Sequence, residues 1–570
     1  MGARTRSGLL AAGLALGGTL TATPAAYAAV PRTETAVASG SPVTSVVETE
    51  VALWLPLPLS AGPHPAGCDW LHYLRYRDRG GPARSAQADR ILVAQPGILE
   101  GAGAFDSVAR DTVAAAARQD RHIEFWALDR RSNCLEDHTG VRAGLAAGDP
   151  QVAVDYYYHH GVVGGRQFAG FLDSGQVGWL ARVGIEQTVR DEYDLLVAEL
   201  PEQRTRKQKV LCGGHSLGGV VTGYFAVWDF DGNPGYDQCG GYFALDTTIS
   251  TSLADLSGET PTGMLPDIGL GYAVIQAGLD SGLLTRILAG PALINPETMN
   301  LLGIAGLAAR VDPDHETLLP ALPSNSNIDT TERILFSKDF ATFLTGTPSV
   351  RDFHLTNAAV LGGLLDDNSQ PLSFLESSVG FFDGGPVTDK DFPVPGDVAD
   401  DPSLGGLAGL IGTQPMAIPD QPNGPTYTWR DYNRIGAADD PGYRTKSGAL
   451  FSTPAEEVTD LQELARSLAE QPLDFTEQYF PTKLSTDLMQ NTAPEISRFV
   501  VHPEGLTANP VITLLAGDGL IAGTGRTLPP SMNPVIAPGY QHLDVLTAAP
   551  VQNSGQPEIV STNLARFAVS

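Results

Sequence analysis

The chain of 570 residues holds only four cysteines, and only 36 lysines and arginines against 65 aspartates and glutamates, a formal net charge of −29. A surface so short of positive charge repels phosphate backbones, which argues against nucleic acid and other polyanions as partners. The charge otherwise speaks for solubility and is given no catalytic meaning. Long apolar runs are scarce too. No stretch beyond the amino-terminal region supplies 18 apolar residues without charges or polar breaks, so no membrane span and no stable membrane anchor are expected. Metal-ligand spacing is also missing. His159-His160 have no cysteine or carboxylate ligand at the right distance along the chain. The acidic run from Asp383 to Asp401 (Asp389, Asp391, Asp397, Asp400, Asp401) lacks the EF-hand pattern and reads as a solvated Pro/Gly-rich loop, although it leaves room for calcium. No metal and no cofactor are expected, no internal repeat is found, and the sequence carries no reading of oligomeric state.

What is present begins with Arg4 and Arg6, the apolar small-residue stretch Leu9 to Leu20, and Ala26-Tyr27-Ala28, the three regions of a cleavable signal peptide. Residues 1–28 are read as that peptide and 29–42 as a flexible leader, so the mature chain is expected to be secreted. Four cysteines in an exported protein favour two disulfides, with three pairings open.

The most informative stretch is Gly214-His215-Ser216-Leu217-Gly218, set between the apolar run Lys209 to Cys212 and the helix-like Val220 to Asp229. A serine hydroxyl becomes a useful nucleophile when it projects alone from a tight turn, with a base to take its proton and N–H groups to receive the oxyanion. Glycines two before and two after it permit such a turn. Ser216 is therefore the candidate nucleophile. His215, beside it, is read as an elbow residue pointing away from the reacting face.

On these residues the chain resembles the α/β-hydrolase superfamily, whose catalytic order is serine, acid, histidine. Pro510 to Gly517 is an apolar run fit for a buried parallel strand, and Asp518 follows where the resemblance places the acid. Asp246, after Phe243-Ala244-Leu245, is the competing acid, because some lipases of the superfamily carry theirs one strand earlier. The run Val535-Ile536-Ala537 leads into Gly539-Tyr540-Gln541-His542, which makes His542 the expected base. The oxyanion donors implied are the N–H groups of Leu217 and of Ile98, which follows Gln95-Pro96-Gly97. Proline stands at position 96, where many members have histidine, so the usual bracing of that loop is replaced here.

The resemblance also implies the fold: α/β, a mostly parallel sheet with helices on both faces, with 43–246 and 498–570 forming the core and 247–497 a large cap inserted between strands six and seven. Such a cap would roof the serine, and the apolar segment Met264 to Ala309 suits the wall of a cleft. The superfamily's second strand lies antiparallel to its fourth and its fifth beside its sixth, which pairs Cys68 with Cys134 and Cys212 with Cys239. Helices are expected over Phe105 to Gln119, Gly178 to Leu200 and Pro454 to Gln471, strands over Val43 to Leu57 and Glu124 to Leu128. Asp129 and His138 are candidates for substrate contact.

The function implied is a serine hydrolase acting through an acyl-enzyme on a small-molecule or lipid-like carboxylic ester. Two alternatives stand beside it. One is an exported serine peptidase of the same fold, with Glu456 or Glu457 gripping the substrate amine. The other is a non-catalytic surface-binding protein on a hydrolase fold.

Overall fold

The computed structural model describes residues 30–257, 271–290, 294–393, 415–436, 444–523 and 525–570. The proposed signal peptide, the stretch Met264 to Leu270 and the acids Asp397, Asp400 and Asp401 lie outside these residues.

Nine strands make the central sheet: β1 (Arg32–Ala36), β2 (Val46–Trp54), β3 (Trp70–Asp78), β4 (Arg90–Gln95), β5 (Ile123–Leu128), β6 (Val210–His215), β7 (Gly241–Leu245), β8 (Val511–Ala516) and β9 (Pro534–Ala537). Their spatial order is β1-β2-β3-β5-β4-β6-β7-β8-β9. The first three and β5 pair antiparallel, and every pair from β5-β4 to β8-β9 is parallel. This is the α/β-hydrolase arrangement, with β3 antiparallel beside β5 as the resemblance implies. The reason lies in the sequence. Runs such as IEFWAL in β5 and GYFAL in β7 are buried at every position, as strands covered on both faces must be.

The helices supply that cover. Helix α1 (Asp106–Ala117) packs on β3 and β5 and against the last helix, while α2 (Ile185–Glu199) packs on α3 (Leu217–Val227), which lies over β4 and β6. Two expectations change here. The helix read over Gly178 to Leu200 is a 3₁₀ turn, Gly178–Arg182, followed by α2, whose start is capped by the Asp487 carboxylate accepting from the Ile185 N–H at 3.0 Å. Part of the expected leader also forms a strand. Arg32–Ala36 pairs along β2 with all five residues exposed, and its arginine and glutamate protect the sheet edge from further pairing.

Both disulfides occur as the resemblance implied. Cys68 and Cys134 have Cα atoms 5.1 Å apart, and Cys212 on β6 meets Cys239 just before β7 at 5.8 Å. No helix among the described residues is long and apolar enough to cross a membrane.

Between β7 and β8 the chain forms α4 (Pro296–Val311), α5 (Asn357–Leu365), α6 (Leu461–Ala469) and a three-stranded sheet ordered His354–Leu355, Thr426–Asp431, Gly380–Asp383. The final helix is α7 (Ile559–Val569), the partner of α1. Helix α6 is shorter than Pro454 to Gln471 because Asp460 caps it, accepting from the N–H groups of Gln462 and Glu463. Its Leu461, Leu464, Ala465 and Leu468 fall on one stripe and are buried against α4. On its other side Arg466 forms a fully buried ion pair with Asp106 of α1. Removing one partner of such a pair costs roughly 3–5 kcal/mol, because the other charge is stranded away from water. The inserted region thus shares one hydrophobic core with the sheet, in a cluster running from Val46 through Leu464 to Ala568.

Candidate active site

The elbow follows from crowding at the end of β6. Ser216 has φ 51° and ψ −121°, a strained conformation for a residue with a side chain. Its N–H donates to the Leu245 carbonyl at 3.1 Å, which holds the turn against β7. A Cβ at Gly218 would stand 2.0 Å from the Gln95 carbonyl oxygen, and one at Gly214 2.5 Å from the same atom. Only glycine at both positions lets α3 start this close to β4.

His542 lies in the turn after β9, and its Nδ1–H donates to Asp246 Oδ2 at 2.6 Å. The pair is nearly sealed from solvent, with His542 1% and Asp246 0% exposed, and Ser216 is 4% exposed. Asp246 is the alternative acid of the sequence reading, and it takes the place expected of Asp518. Backbone N–H groups fix its carboxylate: Ala516 donates to Oδ1 at 3.2 Å and Leu520 to Oδ2 at 3.1 Å. Its own N–H donates to Leu514 at 2.7 Å, so Asp246 leans from the end of β7 across the end of β8. Space for this exists because residue 519 is glycine, where a Cβ would come within 2.4 Å of Asp246 Oδ2. Asp518 is turned to a different neighbourhood. Its side chain is exposed, its N–H donates to the Tyr540 carbonyl, and partial desolvation and the charge of Glu456 raise its carboxyl pKa. It makes no hydrogen bond with His542.

The oxyanion loop after β4 has a brace that the sequence reading missed. Arg130 donates to the Gly97 carbonyl at 2.7 Å and also to that of Pro96, and it pairs with Glu477 at 2.5 Å. Glu477 belongs to the inserted region, and its N–H donates to the Leu99 carbonyl at 2.8 Å. Glu100 accepts from the Gly97 N–H at 2.6 Å. These contacts fix the turn at Pro96-Gly97. Among the described residues, neither the Ile98 nor the Leu217 N–H donates to a protein group.

His215 is buried between the other parts of the site. Its Nδ1 lies 2.7 Å from Glu100 Oε1 and its Nε2 3.0 Å from the His542 carbonyl oxygen. Both partners are acceptors, so both ring nitrogens must carry hydrogen, which defines an imidazolium paired with a carboxylate. Burial works to lower the His215 pKa, but the charge and hydrogen bond of Glu100 outweigh it and leave it raised. His542 goes the other way. Burial lowers its pKa, the His215 charge at a ring separation of 4.4 Å lowers it further, and Asp246 offsets only part. The result is a neutral imidazole at neutral pH, with Nδ1 donating to Asp246 and Nε2 able to accept a proton.

Other candidates settle elsewhere. Asp129 is half-buried, accepts from the Ala102 N–H and Asn133, and has its pKa pushed up by desolvation to about 7. It braces the loop into α1. His138 pairs with Asp474 at 2.7 Å. Glu457 is fully buried and accepts from the Ser452 hydroxyl, so it is closed to a substrate amine, whereas Glu456 is exposed. Glu100, Arg130 and Glu477 escaped the sequence reading because their partners are distant in the chain. The one signal for Glu100 was a carboxylate three residues beyond a Pro-Gly turn.

No family model matches the chain, and no curated protein matches it. Among solved structures it is similar to the peroxisomal alpha-beta-hydrolase Lpx1 (Yor084w) from Saccharomyces cerevisiae, at 12% sequence identity and a TM-score of 0.30, over 95% of this chain and 89% of that one. So slight a likeness carries no weight, and the fold is defined by the strand order itself.

Proposed function

We propose that this chain is a secreted serine hydrolase that cleaves carboxylic esters with Ser216 as nucleophile, His542 as base and Asp246 as the orienting acid. The observations that carry this reading are the strained Ser216 at the head of α3 and a buried His542 whose Nδ1 is fixed by Asp246 and whose ring lies 4.4 Å from that of His215, the residue before the serine. In the reaction the hydroxyl of Ser216 attacks the ester carbonyl as His542 Nε2 takes its proton. Asp246 stabilises the imidazolium, and the N–H groups of Leu217 and Ile98 receive the oxyanion. The imidazolium then gives its proton to the leaving alcohol, and water repeats the sequence on the acyl-enzyme. The two disulfides support the secreted location, since such bonds persist in oxidising compartments.

The test is a panel of nitrophenyl esters of rising acyl length, with aminoacyl anilides beside them, run on wild type and Ser216→Ala. Ester turnover should fall on the order of 10³-fold or more in the variant, with unchanged thermal unfolding. Full activity without Ser216 would remove the nucleophile, and turnover of anilides but not esters would move the reading to a peptidase.

A further inference from the structure

Away from the serine, three acids converge without a counter-charge. Asp366 and Asp367 follow α5, Glu457 precedes α6, and one carboxylate oxygen from each lies within 4.8 Å of the others. All three are buried. Asp366 accepts from the N–H groups of Asn368 at 3.0 Å and Val379 at 3.1 Å, and Glu457 Oε1 accepts from the Ser452 hydroxyl. Asp367 Oδ2 accepts from the Gln541 side chain at 3.1 Å. That leaves Asp367 Oδ1 and Glu457 Oε2 buried without a well-formed hydrogen bond, although the backbone N–H groups of Asn368 and Gly380 interact with these two carboxyls. Nearby acceptors share this condition, because the Asn368 side-chain oxygen and the Ser378 hydroxyl are also unpartnered.

Some buried acids elsewhere in the core have ion pairs, Asp106 with Arg110 and Arg466, Glu124 with Arg75, and Glu477 with Arg130, and others, such as Asp544 and Glu558, are satisfied by hydrogen bonds. Among the described residues, the three acids here pair with no lysine or arginine. The ammonium of Lys390 goes instead to the carbonyls of Leu335 and Ser369. Burial raises the pKa of each of the three carboxyls, and neighbouring acids add to it: Glu457 and Asp367 for Asp366, Asp544 for Asp367, and Asp367 for Glu457. An isolated buried carboxylate is prohibitively costly, and a bound cation reverses that cost. Calcium takes oxygen ligands at about 2.3–2.6 Å, so two ligands across one ion stand about 5 Å apart, the scale of this cluster. With oxygen donors only and no histidine or cysteine, a hard cation fits and a soft one does not.

We propose that Asp366, Asp367 and Glu457 bind a calcium ion that anchors the turn carrying His542. The link runs through Asp367 to Gln541, the residue before His542. It is doubled by the Leu543 N–H donating to the Glu376 carbonyl and by the Ser378 N–H donating to the Asp544 carboxylate. Its effect on turnover rests on the triad proposed above; binding itself does not.

The experiment uses the full chain stripped with a chelator and returned to metal-free buffer, with its fold checked by circular dichroism. Titration calorimetry should find one calcium per chain, and the thermal midpoint should rise by several degrees on adding it. Asp367→Asn and Glu457→Gln should each weaken binding at least tenfold, while Asp314→Asn, an exposed control, should not. Ester hydrolysis by the stripped protein should fall about tenfold and recover with calcium. A folded, stripped wild type that binds no calcium at millimolar concentration would overturn the site, as would undiminished binding in both variants. Binding with no change in hydrolysis, in an enzyme active on esters, would overturn the link to His542. If no form hydrolyses esters, the calorimetry and the thermal midpoint still decide the site.

Discussion

The ends of β7 and β8 look alike in sequence and differ in space. Each neighbouring parallel strand is a short apolar run closed by an aspartate, Leu245-Asp246 and Ala516-Gly517-Asp518. Only Asp246 reaches His542, because three backbone N–H interactions and a glycine-sized gap over β8 pull it across, while Asp518 is carried away on the turn that meets Tyr540. Position after a strand thus nominates an acid, and the room left by the neighbouring strand selects it.

Filling that room should have the largest effect short of removing a catalytic group. Gly519→Ala places a methyl against the Asp246 carboxylate, and kcat on a nitrophenyl ester is expected to fall about 10²-fold, the order of loss when a catalytic group is displaced by an ångström. Near-normal kcat in that variant would show that the gap does not select the acid.

A smaller effect separates the His542 environment from that of Asp518. Below its pKa His542 is protonated and cannot accept from Ser216, so kcat/KM should rise with pH and level off, with a midpoint below the usual value of about 6.5 for histidine. Because the His215 charge contributes to that lowering, His215→Gln should move the midpoint upward. An unchanged midpoint would mean that residue 215 carries no charge. The smallest effect belongs to Asp518→Asn, for which kcat is expected to stay within about threefold of wild type, since surface changes away from the chemistry are nearly neutral.

Much of this architecture was legible in the sequence, for identifiable reasons. The elbow is a local arrangement of glycines around a serine, and the buried strands advertise themselves as unbroken apolar runs. The cysteine pairs follow once the strand order is known. What escaped depends on contacts across the chain. The start of α2 is set by Asp487, some three hundred residues away in sequence, and the oxyanion loop is braced by Arg130 and Glu477. The edge strand Arg32–Ala36 is polar up to its last residue, so no apolar alternation marked it. The inserted region reads as a roof from its place between strands six and seven, and the Arg466 to Asp106 pair and the Leu464 stripe, which no local pattern announces, tie it into the same core as the sheet.

The central claim, that Asp246 and not Asp518 completes the site with Ser216 and His542, is tested most directly by kcat of Asp246→Asn on one nitrophenyl ester, measured beside Asp518→Asn. Loss of the acid leaves the imidazole in the wrong tautomer, so a fall of roughly 10⁴-fold is expected for Asp246→Asn with Asp518→Asn close to wild type. The opposite ranking, a collapse of Asp518→Asn with Asp246→Asn active, would contradict the account.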